Sequence, residues 1–329
     1  MRLTDFLTRL TGRRESGRIA EAELLKAVGQ AADLIDPKIR WVSGYRRRLK
    51  PAVARTLVYA DELIAKIPGP ILTHPDRWGQ DPSLRAIFAS PEEILHTFRA
   101  HPKARRYLAG PEAAPFHALL TMTREEKSLL GVASDGNLIK RDVPRTAVNF
   151  VDLRVLGPAA SEGETHARLR RQTLTILCST AMERILALRS RAQDLGEQRE
   201  ILKIKLQIRQ SGRQDLAALM CGNEACNIEI VRARDELADI EREIAAAKTE
   251  LGGPTECLEH LLAIISRPEE HLWVEPLCLR LNPLGLKVAP DSSEPAAAVE
   301  ICELHVREGL RRAAAFVRYE HPRKPSENG

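Results

Sequence analysis

Cysteine and histidine are the residues here most able to do chemistry, and their spacing limits what they can do. Cys221 and Cys226 are separated by four residues. Zinc takes four ligands, and paired thiolates from two chains could supply them. Residues five apart on a helix point to different faces, so such a site needs a local break at Gly222-Asn223. Without that break the pair are small core thiols. Cys257 and His260 flank Glu259 but have no second pair to complete a site. His96, His101 and His117 share a region with Glu92 and Glu93, but their spacing builds no triad. Phosphate loops of the G-x-x-x-x-G-K-[ST] and G-x-G-x-x-G types are missing, as are a G-x-S-x-G elbow and an H-E-x-x-H motif. The expectation is a non-enzymatic chain with no catalytic residue, no metal and no cofactor.

A second chemistry is charge. Arg46, Arg47 and Arg48 run together, with Lys50 close behind, and Lys103, Arg105 and Arg106 form a looser group. Phosphate contacts dominate nucleic-acid binding, so the run Arg46, Arg47, Arg48 and Lys50 defines an alternative reading as a nucleic-acid-associated protein. The surplus of charge lies here: residues 1–160 carry 26 basic against 18 acidic side chains, residues 161–251 carry 15 against 15, and residues 252–329 carry 9 against 12. The 13 aromatic residues leave few stacking platforms, Trp41 and Tyr45 being those beside the run. Nucleic acid is therefore the less favoured partner.

The element that organises the chain is the stretch 161–253. Apolar or small residues recur at alternating spacings of four and three: Leu174, Cys178, Ala181, Ile185, Leu188, Ala192, Leu195, Leu202 and Leu206. A second seam runs through Leu216, Leu219, Cys226, Ile230, Ala233, Leu237, Ile240, Ile244, Ala247 and Leu251. These are heptad seams. Ser211-Gly212 lies between them and marks a turn. Folding the chain back about Gly212 matches the seams along an antiparallel coiled-coil arm, with Ile185 on Ile240, Leu188 on Leu237 and Leu195 on Ile230. The interrupting polar layers are Arg199 on Cys226, Asn223 on Leu202 and Arg209 on Leu216. Ser161 with Glu164 starts the arm in a capping-box pattern, and Gly252-Gly253-Pro254 ends it. Ile201, Ile204 and Ile208 form an apolar stripe off the seam, which either takes a helix docked against the arm near its tip or touches a protein partner or a second copy of the chain; the partner surface is the reading carried forward.

The rest of the chain frames this arm. Leu3, Phe6, Leu7 and Leu10 among basic residues predict a first amphipathic helix. Further helices are expected at about 17–35, from Pro51 to Ile67, from Pro91 to Ala100, at about 112–122, and after the arm with Thr255 as its cap. Asp135-Gly136 predicts a hairpin between strands at 129–133 and 137–143. A third strand is expected over 147–156, and others over 272–281, 286–289, 299–306 and 311–319, with a frayed tail from His321. The fold class is α+β: a helical N-terminal domain over 1–126, an antiparallel β-domain of about seven strands over 127–160 and 254–320, the coiled-coil arm inserted over 161–253, and the tail 321–329. No apolar run of 18 residues and no signal pattern occur, and six scattered cysteines fit reduced thiols, so a cytoplasmic location without a membrane span is expected. The function expected is that of an interaction or scaffold protein.

Overall fold

The computed structural model describes residues 20–109, 114–135, 138–215, 223–290, 292, 294–307 and 309–320. The first amphipathic helix, the tail from His321, Gly136 of the hairpin turn and Cys221 lie outside them. The chain divides into two compact units, Met1–Ala54 with Thr175–Ser266, and Arg55–Leu174 with Arg267–Gly329.

In the first unit α1 (Glu21–Ile35) buries Leu24, Ala27, Val28, Ala31, Ala32 and Ile35, the i, i+3, i+4 pattern of one helix face. Asp36 ends it and caps the 3₁₀ turn Pro37–Trp41 by accepting the Lys38 N–H at 2.8 Å. The next helix, α2 (Tyr45–Ala65), begins earlier than its proline predicts and carries Pro51 inside it. Proline removes one backbone donor there, and burial of Leu49, Ala52 and Val53 on both sides outweighs that loss. After the long helices α6 (Glu162–Asp215) and α7 (Asn223–Leu251) comes α8 (Pro254–Ile265). Gly253 rather than Thr255 caps α8: the Glu256 carboxylate accepts the Gly253 N–H at 2.5 Å. Cys257, Leu258, Leu261, Ile264 and Ile265 form its buried face.

The second unit is a curled sheet packed on short helices. Each helix opens on a polar cap followed by proline. Asp81 accepts the Ser83 N–H at 2.8 Å ahead of α3 (Pro82–Ile87). Ser90 accepts the Glu93 N–H at 3.4 Å ahead of α4 (Pro91–Ala100). The Nδ1 of His101 accepts from Lys103 and Ala104 ahead of α5 (Pro102–Leu108). The six strands are β1 (Ile71–Thr73), β2 (Phe116–Asp135), β3 (Leu138–Ala159), β4 (Leu272–Leu281), β5 (Ala297–Val306) and β6 (Arg311–Tyr319). Their order is β3-β2-β6-β5-β4, all antiparallel, with β1 parallel beside β6. The segment after β4 ties the two ends of this order together: the Val148 N–H donates to the Gly285 carbonyl at 2.9 Å and the Lys287 N–H to Thr146 at 2.8 Å. Leu84, Ile87, Phe88, Ile94, Phe98 and Ala104 of the helices bury against Leu120, Met122, Phe150, Ile301 and Val317 of the sheet in one cluster.

Among the described residues six strands form where about seven were expected. The expected strands at 137–143 and 147–156 are one continuous β3, and 129–133 is the far end of β2. Pro144 lies inside β3, where it faces Leu130 on an outer strand that tolerates a missing donor. Residues 286–289 make two isolated bridges rather than a strand. Of the helix expected over 112–122, residues 112 and 113 lie outside the described residues and 116–122 are instead the start of β2, because Phe116, Ala118, Leu120 and Met122 are buried at a period of two on the core face.

Candidate interaction surfaces

α6 is 54 residues long, about 80 Å at 1.5 Å per residue, and α7 is 29 residues long. The predicted seam residues whose side chains are described are covered. Cys178, Ala181, Ile185, Leu195 and Leu206 on α6 are buried, as are Ile230, Ile240, Ile244 and Ala247 on α7. Leu188, Ala192, Leu202, Ala233 and Leu237 are half-buried. Leu195, Ile240 and Ile244 form one cluster with Leu202 against it. Two ion pairs flank it, Arg191–Glu243 at 3.1 Å and Lys203–Glu241 at 3.9 Å. Arg191 and Glu243 each precede a seam residue, and Lys203 and Glu241 each follow one, the symmetry that antiparallel helices require.

These contacts correct the register. The midpoints of the two ion pairs fall at positions 217 and 222, and α6 runs unbroken through Ser211-Gly212 to Asp215. Residues 216–222, between α6 and α7, lie outside the described residues. Leu195 clusters with Ile240 and Ile244 rather than with Ile230, and Arg199 bonds to its neighbour Glu200 at 2.6 Å. Glycine in a helix interior costs about 1 kcal/mol, which a long packed helix absorbs.

The off-seam stripe is in the open. Ile201, Ile204 and Ile208 are 53, 56 and 65% exposed. At spacings of three and four they share one outer face of α6. Ile228 and Val231 of α7 are 61 and 54% exposed, two apolar residues that the seam reading did not single out.

The basic run occupies the first turns of α2, and its charges are partly spent. Arg48 is ion-paired to Glu259 of α8, and Lys50 to Glu21 of α1 at 2.5 Å. The hydrogen bond from Lys50, and then its charge, hold the Glu21 carboxyl below the usual range. Arg46 donates from Nε to the Tyr45 hydroxyl at 3.0 Å and lies 5.7 Å from its ring centre. Arg47 is exposed. The four cations thus do not form one patch. Arg46 instead lines a pocket with Lys26 and Arg40, which no linear spacing could have grouped with it.

The second unit holds a charged cluster that sequence reasoning missed. On the core face of the sheet, Ile301 is followed by Glu303 and His305 on β5, Met122 by Arg124 and Glu126 on β2, Ala313 by Arg311 on β6, and Leu277 by Glu275 and Trp273 on β4. β4 and β5 turn charged at the level where Glu275 pairs with Glu303, and β6 turns charged one step further, where Arg311 pairs with His305. Glu303 is 4% exposed and bonds Arg124 at 2.9 Å and the Arg311 Nε at 2.9 Å. Arg124 also reaches Glu126 at 2.6 Å, and Lys287 pairs with Glu126 at 2.6 Å. That last bond holds the Glu126 carboxyl below the usual range. His305 stacks flat on Trp273, 5.2 Å between centres, with Glu275 at 3.4 Å. The signs alternate through the cluster, so it neutralises itself.

The same unit has a cleft of about 760 Å³ between α3 and the sheet, floored by Ile87, Phe150 and Leu281, with Arg85, Glu125 and Lys127 at its walls. Its lining contains neither histidine nor aspartate. Among the described residues no group of three His, Cys, Asp or Glu could hold a metal. Cys257 is buried, and His260 meets the Glu250 carbonyl at 3.0 Å. His101, one of the three histidines grouped with Glu92 and Glu93 in the sequence, is used as a helix cap; burial and then Lys103 lower its pKa, which leaves Nδ1 free to accept. No helix among the described residues is long and apolar enough to cross a membrane.

Comparison with known protein families, with curated proteins and with solved structures returns no match to this chain.

Proposed function

We propose that this chain is a non-enzymatic interaction protein. In this reading α6 and α7 form an antiparallel coiled-coil arm that binds a protein partner or a second copy of itself. The observation that carries the reading is the exposure of Ile201, Ile204 and Ile208 on a helix whose opposite face is already covered. A solvated helix face is ordinarily polar, and a row of three half-exposed isoleucines is an apolar stripe with no cover among the described residues. The arm's equal numbers of basic and acidic residues favour close approach of another protein over attraction to a polyanion. Cys178, Cys257, Cys278 and Cys302 are unpaired thiols, which supports a reducing, cytoplasmic setting.

The test is the triple replacement Ile201→Ser, Ile204→Ser and Ile208→Ser, with sedimentation equilibrium for self-association and co-purification for a partner. Burial of a full isoleucine is worth about 2 kcal/mol. Half of that at each of three sites gives about 3 kcal/mol, a Kd weaker by about two orders of magnitude. Unchanged oligomeric state together with an unchanged set of partners overturns the reading. The nucleic-acid alternative draws less support, because Arg48 and Lys50 of the four predicted phosphate contacts are engaged by Glu259 and Glu21.

A further inference from the structure

The first unit carries a surface pocket of about 250 Å³ bounded by α1, the 3₁₀ turn and the start of α2. Three cations line it, Lys26, Arg40 and Arg46, against one acid, Asp33. Arg40 donates to Asp33 at 2.6 Å, which neutralises that acid. Lys26 and Arg46 have no acidic partner among the described residues, so the pocket keeps a charge of two.

Arg46 is held ready. Its Nε–H is given to the Tyr45 hydroxyl, and Tyr45 is itself buried, which leaves both terminal nitrogens of the guanidinium for a ligand. That fork is the geometry that takes two oxygens of a phosphate at once. Lys26 adds a compact point charge from the neighbouring helix. Gly29 lies beside the third cation: a methyl added there would stand in ordinary van der Waals contact with the Arg40 guanidinium at 3.5 Å. At about 30 Å³ per water the pocket holds roughly eight waters, more than a bare phosphate fills.

We infer that this pocket binds the phosphate of a small phosphate monoester, gripped by Arg46 and Lys26 with Arg40 behind them. The inference is independent of the arm. It uses one member of the basic run predicted from sequence and replaces the others by residues that packing brings together. The phosphate could belong to a soluble metabolite or to a lipid headgroup, and the chemistry at the pocket is the same.

Isothermal titration of the full chain with glycerol 3-phosphate, inorganic phosphate and plain glycerol tests it, beside co-sedimentation with vesicles of phosphatidic acid or of phosphatidylcholine alone. Saturable binding of either phosphate probe, with none for glycerol, is expected. Arg46→Gln and Lys26→Gln should each weaken it by about tenfold or more, the loss of one charge-assisted bond, while Arg267→Gln leaves it unchanged. Lys26 is an exposed side chain, so its replacement remains informative if Arg46→Gln perturbs the fold. Sedimentation with phosphatidic acid that Lys26→Gln abolishes assigns the phosphate to a lipid, and binding of glycerol 3-phosphate without sedimentation assigns it to a soluble ester. No saturable binding to any probe at millimolar concentration, or binding that survives both replacements, overturns the inference.

Discussion

Replacing Glu303 by alanine removes the one carboxylate that separates the guanidinium groups of Arg124 and Arg311. Glu303 is 4% exposed, and the Arg124 and Arg311 side chains are 16 and 54% exposed. Taking one partner from a buried pair costs about 3–5 kcal/mol, because the remaining charge is left without compensation. Arg311 can turn to water and Arg124 keeps Glu126 at 2.6 Å, so the low end applies, about 3 kcal/mol. The second unit has 183 residues, 120 before the arm's boundary and 63 after it. A unit of that size loses about 2–4 °C per kcal/mol, so the expected fall in Tm is about 6–12 °C. Calorimetry and urea unfolding, the latter followed by fluorescence of Trp78 and Trp273, measure it. A companion variant, Arg124→Met with Glu303→Leu and Arg311→Leu, removes every charge of the triad and should recover most of the loss. If Glu303→Ala unfolds within about 1 kcal/mol of the parent, the cluster is not held together as described.

Other outcomes follow from the same structure. Burial pushes the Cys178 and Cys302 thiols up to about 12, whereas Cys278 is exposed on β4. In a chain carrying serine at 221 and 226, a thiol reagent at pH 8 should modify Cys278 alone in the native state; equal rates at Cys178 refute the burial. Acid should act in two stages. Burial, partly offset by Glu162 and Asp61, holds His166 below its usual 6.5. A histidine with a depressed folded pKa lends stability above its unfolded pKa and loses it as pH falls, so Tm should start to drop below about 6.5. Glu126 and Glu294 are held below 4.5 by their bonds to Lys287 and to Asn282, so a steeper loss is expected below that pH. A Tm flat from pH 7 to 4 contradicts the first stage, and His166→Asn should remove it.

Local punctuation was legible in the chain because it acts over a few residues. Ser90-Pro91 with Glu92 and Glu93 predicts α4 to the residue, since a cap, a fixed φ and acids at the dipole are neighbours in sequence. Ser161 starts α6 as read, accepting the Glu164 N–H at 3.3 Å. The seam residues were legible too, because burial on a helix repeats every three or four positions. Their register was not. A heptad pattern matches its antiparallel partner equally well after any shift of seven, and Ser211-Gly212 is too weak a breaker to choose among the shifts. The pairs Arg191–Glu243 and Lys203–Glu241, made across space, depart from the expected pairing.

Sequence by itself determined the mixed α and β character, the ends of α4, β4 and β6 and the off-seam isoleucines, all of which depend on short-range periodicity and steric preference. Tertiary structure decided which strands pair, that β2 continues where a helix was expected, and that two of the four clustered cations are neutralised. It also decided the two charged sites that count most, Lys26 with Arg40 and Arg46, and Glu303 with Arg124 and Arg311. Their members lie up to 187 positions apart in the chain. Charge acts through distance in space, and a linear spacing carries no record of which distant segments fold to within a few ångströms of each other.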